Sequence, residues 1–211
     1  MTIASRFMPA VIALTIGACA SSPVTLVVLP PPALPASDVG EGPGGTILLR
    51  QVSVPGYLED FPVVIGRAGN ALVVSRNIEW GEPLLQGVAR VLRDALAQRL
   101  GASRVLISGD RRIPDAELTI EFLSLDPRNG VLDLDARWFF SCRTAGPGRG
   151  GRTRLEVAVA AAEPQAVANA TADALARLAD VLAAEVRCEP SSAIAPARLV
   201  RPDGDRRTTI Y

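Results

Sequence analysis

The sequence predicts an α+β domain in which one antiparallel sheet carries two amphipathic helices packed on one face. Three observations carry this expectation. Three segments between residues 117 and 161 alternate apolar and polar side chains with period two, the pattern of strands with one buried and one wet face. Two segments, 82–100 and 164–187, repeat apolar residues at helical spacing. Short reversals rich in Gly, Asn and Pro separate the strands.

The N-terminus comes before that domain. Residues 1–6 hold one positive charge, Arg6, and no acid, and Phe7 to Ile16 is an apolar run of ten residues. A spanning helix needs roughly 20 apolar residues, so residues 1–18 read as a cleavable signal peptide. Ile16-Gly17-Ala18-Cys19 resembles a lipobox, which implies acylation of Cys19 and cleavage before it. Acyl chains bury about 0.8 kcal/mol per methylene, so two or three of them hold a protein on a membrane. Ala20, where an aspartate would retain the protein, implies the periplasmic face of the outer membrane. Residues 19–45 then form a lipidated N-terminus with a short strand, Val24 to Leu29, and a linker rich in Pro and Gly.

The folded part is expected over 46–188. Thr46 to Val54 reads as a buried strand stopped by Pro55-Gly56. Val63 to Ile65 and Ala71 to Ser75 are two short β runs around the turn-forming Arg67 to Asn70. Leu84, Val88, Val91, Leu92, Ala95, Leu96 and Leu100 share one helical face, with Pro83 at the start and Gly101 at the end. Arg104 to Ser108 is a short strand. Leu118, Ile120 and Phe122 form the apolar side of the next strand. Leu132, Leu134, Ala136, Trp138 and Phe140 form that of the one after, with Asp133, Asp135 and Arg137 opposite. Leu155, Val157, Val159 and Ala161 form that of the third, after a loose Gly146 to Gly151 loop. The second helix carries Val167, Thr171, Leu175, Leu178, Leu182 and Val186 on one stripe. Residues 189–211 lack periodicity and read as a disordered tail.

Composition excludes several functions. The 211 residues hold 22 basic and 22 acidic side chains, so no net basic field invites nucleic acid. No histidine is present, which removes a Ser-His-Asp triad and a His-ligated metal site. No lysine is present either, which removes a Ser-Lys pair. No phosphate-cradling loop opens a helix. No catalytic residue, metal or cofactor is therefore expected. Asp133 and Asp135 read as solvated or cross-strand-paired carboxylates. Arg143, Arg149, Arg152 and Arg154 form a basic loop, solvated or touching anionic head groups.

Cys142 and Cys188 remain once Cys19 carries lipid. The strand after Cys142 returns nearly 30 Å at about 3.3 Å per residue, and the helix covers about 36 Å back at 1.5 Å per residue. Both cysteines should reach the same end of the domain, where an oxidising compartment favours a disulfide. The alternative is two buried thiols.

Two further segments carry a resemblance. Val54 to Val64, V-P-G-Y-L-E-D-F-P-V-V, is similar to a strand-exit motif V-P-x-Y-L-D-x-P-x-(I/V)-V, with Pro55, Tyr57 and Leu58 in place. Glu79 to Leu84 is similar to a W-x-E-P-L motif opening a helix, with Trp80, Glu82, Pro83 and Leu84 in place. With the lipobox, these resemble the ABC-type transport auxiliary lipoprotein family, the PqiC-like proteins, over residues 24–187. The resemblance implies a non-enzymatic, lipid-anchored periplasmic subunit. Its implied partners are an MCE-domain protein and an ABC permease that move lipid between membranes, and some members are thought to form homo-oligomeric rings. The alternative is a structural lipoprotein of another envelope assembly or secretion complex. Trp80 and Pro83 also have a plain reading as a staple at the helix entrance. Tyr57 and Leu58 read equally as core-edge packing or as a partner contact.

Overall fold

The computed structural model describes residues 23–33, 45–59, 62–107, 109–144 and 147–188. The expected signal segment, Cys19, most of the expected linker and the expected tail over 189–211 lie outside them. The elements are β1 (Thr25–Val27), β2 (Ile47–Ser53), β3 (Pro62–Ala68), β4 (Ala71–Trp80), α1 (Leu84–Leu100), β5 (Val105–Leu106), β6 (Ala116–Arg128), β7 (Val131–Cys142), β8 (Arg149–Ala158) and α2 (Pro164–Glu185).

The fold is α+β, but its strands form two mixed sheets and not one antiparallel sheet. One has three strands in the order β1-β4-β3, the other five in the order β5-β2-β6-β7-β8. β3–β4, β6–β7 and β7–β8 are antiparallel, while β1 runs parallel to β4, and β2 parallel to both β5 and β6. Alternation reports which face is buried and is silent on direction. Short turns force antiparallel neighbours, whereas long crossovers such as the one from β2 to β6 permit parallel ones.

The β6–β7 reversal is a two-residue turn in which Asn129 and Gly130 have φ of 53° and 80°, matching the twist of the flanking strands. A bulge between Phe122 and Ser124 lets β6 continue to Arg128, well past the expected end at Phe122. Gly150 and Gly151 belong to β8 and not to a loose loop. A Cβ on Gly151 would lie 2.4 Å from Cζ2 of Trp138, so the glycine lets the indole lie across the strand. β8 ends at Ala158, and Ala161 is exposed because the chain there already turns toward α2.

α1 and α2 pack on each other; α2 also covers β7 and β8, and α1 touches β2 and β5. One apolar core results, including Leu118, Ile120, Leu132, Leu134, Leu175 and Leu178. Buried Arg99 of α1 donates to Asp180 of α2 at 2.5 Å and to the Ala95 carbonyl at 2.9 Å. Cys142, at the end of β7, and Cys188, just past α2, are joined in a disulfide with Cα atoms 5.8 Å apart.

Candidate functional site

The first motif leaves β2 at Pro55 and folds into a 3-10 turn over Gly56–Leu58. The Leu58 amide donates to the Pro55 carbonyl at 2.9 Å, and the Leu58 side chain is buried. The turn aims Tyr57 at Asp126 of β6, and the phenol donates to Asp126 Oδ1 at 2.7 Å. Arg67 of β3 donates to both oxygens of the same carboxylate, and its guanidinium lies 5.0 Å from the Tyr57 ring centre. Asp126 is 1% exposed. Burial, and next the Asp126 bond, push the Tyr57 phenol up to about 12. Tyr57 thus commits its hydroxyl inside the chain while the residue stays 37% exposed.

The second motif follows β4. Trp80 is buried and ends that strand, and the Gly81 amide donates to the Val27 carbonyl at 2.8 Å. Glu82 accepts from Arg90, which also donates to the Leu29 carbonyl at 3.1 Å. Pro83 precedes the first residue of α1, and Leu84 is buried. These residues fasten β1 to the start of α1.

Sequence reasoning missed Asp126 and Arg67. Asp126 lies beyond the expected strand end at Phe122, because a bulge cannot be seen in an alternation pattern. Arg67 reads as a turn residue although β3 runs through it.

The polar face of the large sheet is an ion-pair ladder. Arg50 meets Glu117 at 2.5 Å, and Asp135 accepts from Arg152 at 2.5 and 2.7 Å and from Arg154 at 2.9 Å. Arg152 and Arg154 are therefore strand residues bound to an acid. Arg149 donates to the carbonyls of Glu185 and Arg187, and Arg143 lies 3.8 Å from Asp115. Arg152, then Arg154, hold the Asp135 carboxyl down at about 2 against an ordinary 3.8. A depressed carboxyl stabilises the fold above its unfolded value and loses that contribution as pH falls. Urea unfolding between pH 5 and 2 should show stability falling from about pH 4 downward, and Asp135→Asn should flatten that slope.

Two open features of a docking kind remain. β5 covers β2 only at Ile47 and Leu48, so among the described residues the same edge of β2 carries no strand from Leu49 onward. A cleft of about 380 Å³ lies there against α1, with an apolar floor of Leu49, Val52, Leu85 and Ala89. Arg90 and Arg93 stand among its lining residues. Open edges accept extended peptide segments. On the large sheet, Phe139 is half exposed beside Trp138 in a shallow cleft of about 470 Å³. Among the described residues no cluster of three metal-ligating side chains exists, and no helix is long and apolar enough to cross a membrane.

The sequence matches, over residues 28–183, the family described as the ABC-type transport auxiliary lipoprotein component. The chain belongs to this family. Both motif segments lie within the match. Among curated proteins none matches. Two solved structures share the fold. A crystal structure of an uncharacterized protein aligns with TM-score 0.62 at 18% identity, covering 78% of this chain and 99% of its own. A Xanthomonas campestris protein of the DUF330 family aligns with TM-score 0.53 at 14% identity, covering 76% of this chain and 91% of its own. Membership makes the protein a transport-associated lipoprotein component of the cell envelope.

Proposed function

We propose that the protein is a lipid-anchored periplasmic accessory subunit of an MCE/ABC-type system that moves lipid or another hydrophobic molecule between membranes. It acts by docking and assembly, without bond chemistry. The observation that carries this reading is the extent of the family match, which spans nearly the whole folded domain and so assigns the auxiliary role to the domain itself. Cys19 carries the anchor and holds the domain at the periplasmic face of the outer membrane. The partners are the MCE-domain protein and the permease of the same system, with a homo-oligomeric ring as the assembled form. The edge of β2 beside α1, uncovered among the described residues, supports docking, because an added strand would satisfy its backbone groups and lay apolar side chains on Leu49 and Leu85.

Crosslinking and pulldown of the tagged lipoprotein from native membranes, with proteins and lipids identified by mass spectrometry, tests this reading. The expected catch is an MCE protein with its permease. Capture of a different envelope complex, with unchanged detergent resistance in a deletion strain, would overturn it.

A further inference from the structure

The outward side of β1 is apolar, where the outward residues of β6 and β8 are mainly polar or charged. Outward residues of β6 are Glu117, Thr119 and Glu121, and those of β8 include Arg152 and Arg154. Along the first strand the inward residues Val27 and Leu29 are buried, as a core strand requires. The outward residues are also apolar: Val24 is 54% exposed, Leu26 62% and Val28 54%. Gly81 beside them makes this possible, since a Cβ there would lie 3.0 Å from Val28 Cγ1 and 3.5 Å from Leu26 Cβ. Three aliphatic side chains in a row on an edge strand invite a cover.

Chain length identifies the cover. Val24 follows Cys19 by five residues. At no more than about 3.6 Å per residue, its Cα lies within about 18 Å of the acylated cysteine. An acylated cysteine sits at head-group level, so β1 is held close to the bilayer surface whatever path the tether takes. We infer that the Val24, Leu26 and Val28 face rests on the membrane interface and fixes how the domain stands on its anchor. This rests on Cys19 bearing the lipid, as proposed above. The contact is interfacial and shallow. β1 is the end strand of its sheet, and its free backbone edge needs water, which the hydrocarbon core lacks. The three side chains are uncharged, so the contact should not depend on anionic lipid or on salt.

The test uses the full lipoprotein in vesicles of phosphatidylethanolamine and phosphatidylglycerol. With Cys19 acylated and Cys142 and Cys188 paired, Leu26→Cys supplies a single thiol for an environment-sensitive fluorophore. Ala102→Cys, in the turn after α1 and remote from the α1 entrance that β1 abuts, is the control. The probe at 26 should shift to the blue and be quenched by lipids spin-labelled near the head group, in salt and in purely zwitterionic vesicles alike, and the probe at 102 should not. Flotation of the protein with a water-like, unquenched probe at 26 would overturn the membrane face alone. Failure of the parent protein to float would overturn the anchor, and the face with it.

Discussion

Asp126→Ala should lower the unfolding free energy by about 3–5 kcal/mol, the usual loss when one partner of a buried ion pair is removed. Asp126 is 1% exposed and its two oxygens hold Arg67 and Tyr57 together. Arg67 has a side-chain exposure of only 18%, so its charge would stay largely enclosed without a counterion. The Tyr57 phenol would lose its acceptor at the same time. The loss is large against the roughly 5–15 kcal/mol that keeps a domain folded. Tyr57→Phe should cost less, about 1 kcal/mol, because the Asp126–Arg67 pair survives it. A second readout separates this clamp from general loosening. The phenol is raised from 10.0 to about 12, and folding therefore resists its ionisation. The associated stability is complete below pH 10 and disappears as pH rises through 12. In a Tyr211→Phe background, absorbance at 295 nm should place the Tyr57 titration near 12. In Asp126→Asn, which removes the adjacent negative charge while keeping the side-chain shape, the titration should fall toward 10. A titration unmoved by that change, or a stability loss below 1 kcal/mol for the alanine variant, would show that the clamp does not hold the turn.

The clamp also shows what a sequence pattern can and cannot reveal. Tyr57 and Trp80 are visible because each sits in a recognisable motif, and the helix after Pro83 is visible because Leu84, Val88, Val91 and Leu92 repeat at helical spacing. Their partners are not visible. Glu82 meets Arg90 eight residues on, and Arg90 reaches back to Leu29, a contact made by tertiary approach of β1. Tyr57 and Asp126 are 69 residues apart and meet only because a bulge carries β6 on past Phe122. Strand direction was hidden for a similar reason. β2 alternates weakly, and nothing in Ile47 to Ser53 says that its neighbour β6 runs parallel. The short β5 was read as five residues and pairs over two, because pairing stops at Leu106. Among the described residues that early stop leaves the β2 edge open, and an open edge depends on which neighbour pairs there, which no local pattern encodes. The exposed side of β1 is the opposite case. Its alternation is masked because both faces are apolar, so V-T-L-V-V-L shows a short strand but not which of its faces the domain covers.

Reduction of the Cys142–Cys188 disulfide should lower stability by about 4 kcal/mol in the chain-entropy account, because the bond closes a long loop in the unfolded chain. The cysteines are 46 residues apart, and the enclosed segment contains all of β8 and α2. Without the bond the unfolded chain gains freedom, while the native end of α2 keeps other holds. Val186 stays buried, and Arg149 still donates to the carbonyls of Glu185 and Arg187. The paired variant Cys142→Ser/Cys188→Ser should therefore fold, with a lower urea midpoint and a larger m-value, because the unlinked denatured chain is less compact. A single Cys142→Ser change should cost as much and leave a free thiol at 188. The same result in the parent protein under reductant would separate the bond from the substitutions. Alkylation and mass spectrometry without reductant should find neither cysteine modified. Two modified cysteines would remove the bond from the account of this fold. The compartment gives the prediction its biological reach. Such a bond persists in an oxidising compartment and not in a reducing cytoplasm, so the domain reaches full stability only where the bond can form. Expression of residues 23–211 in a reducing cytoplasm should accordingly yield a protein with the lower, reduced-state urea midpoint, and oxidation of the purified protein should restore the higher one.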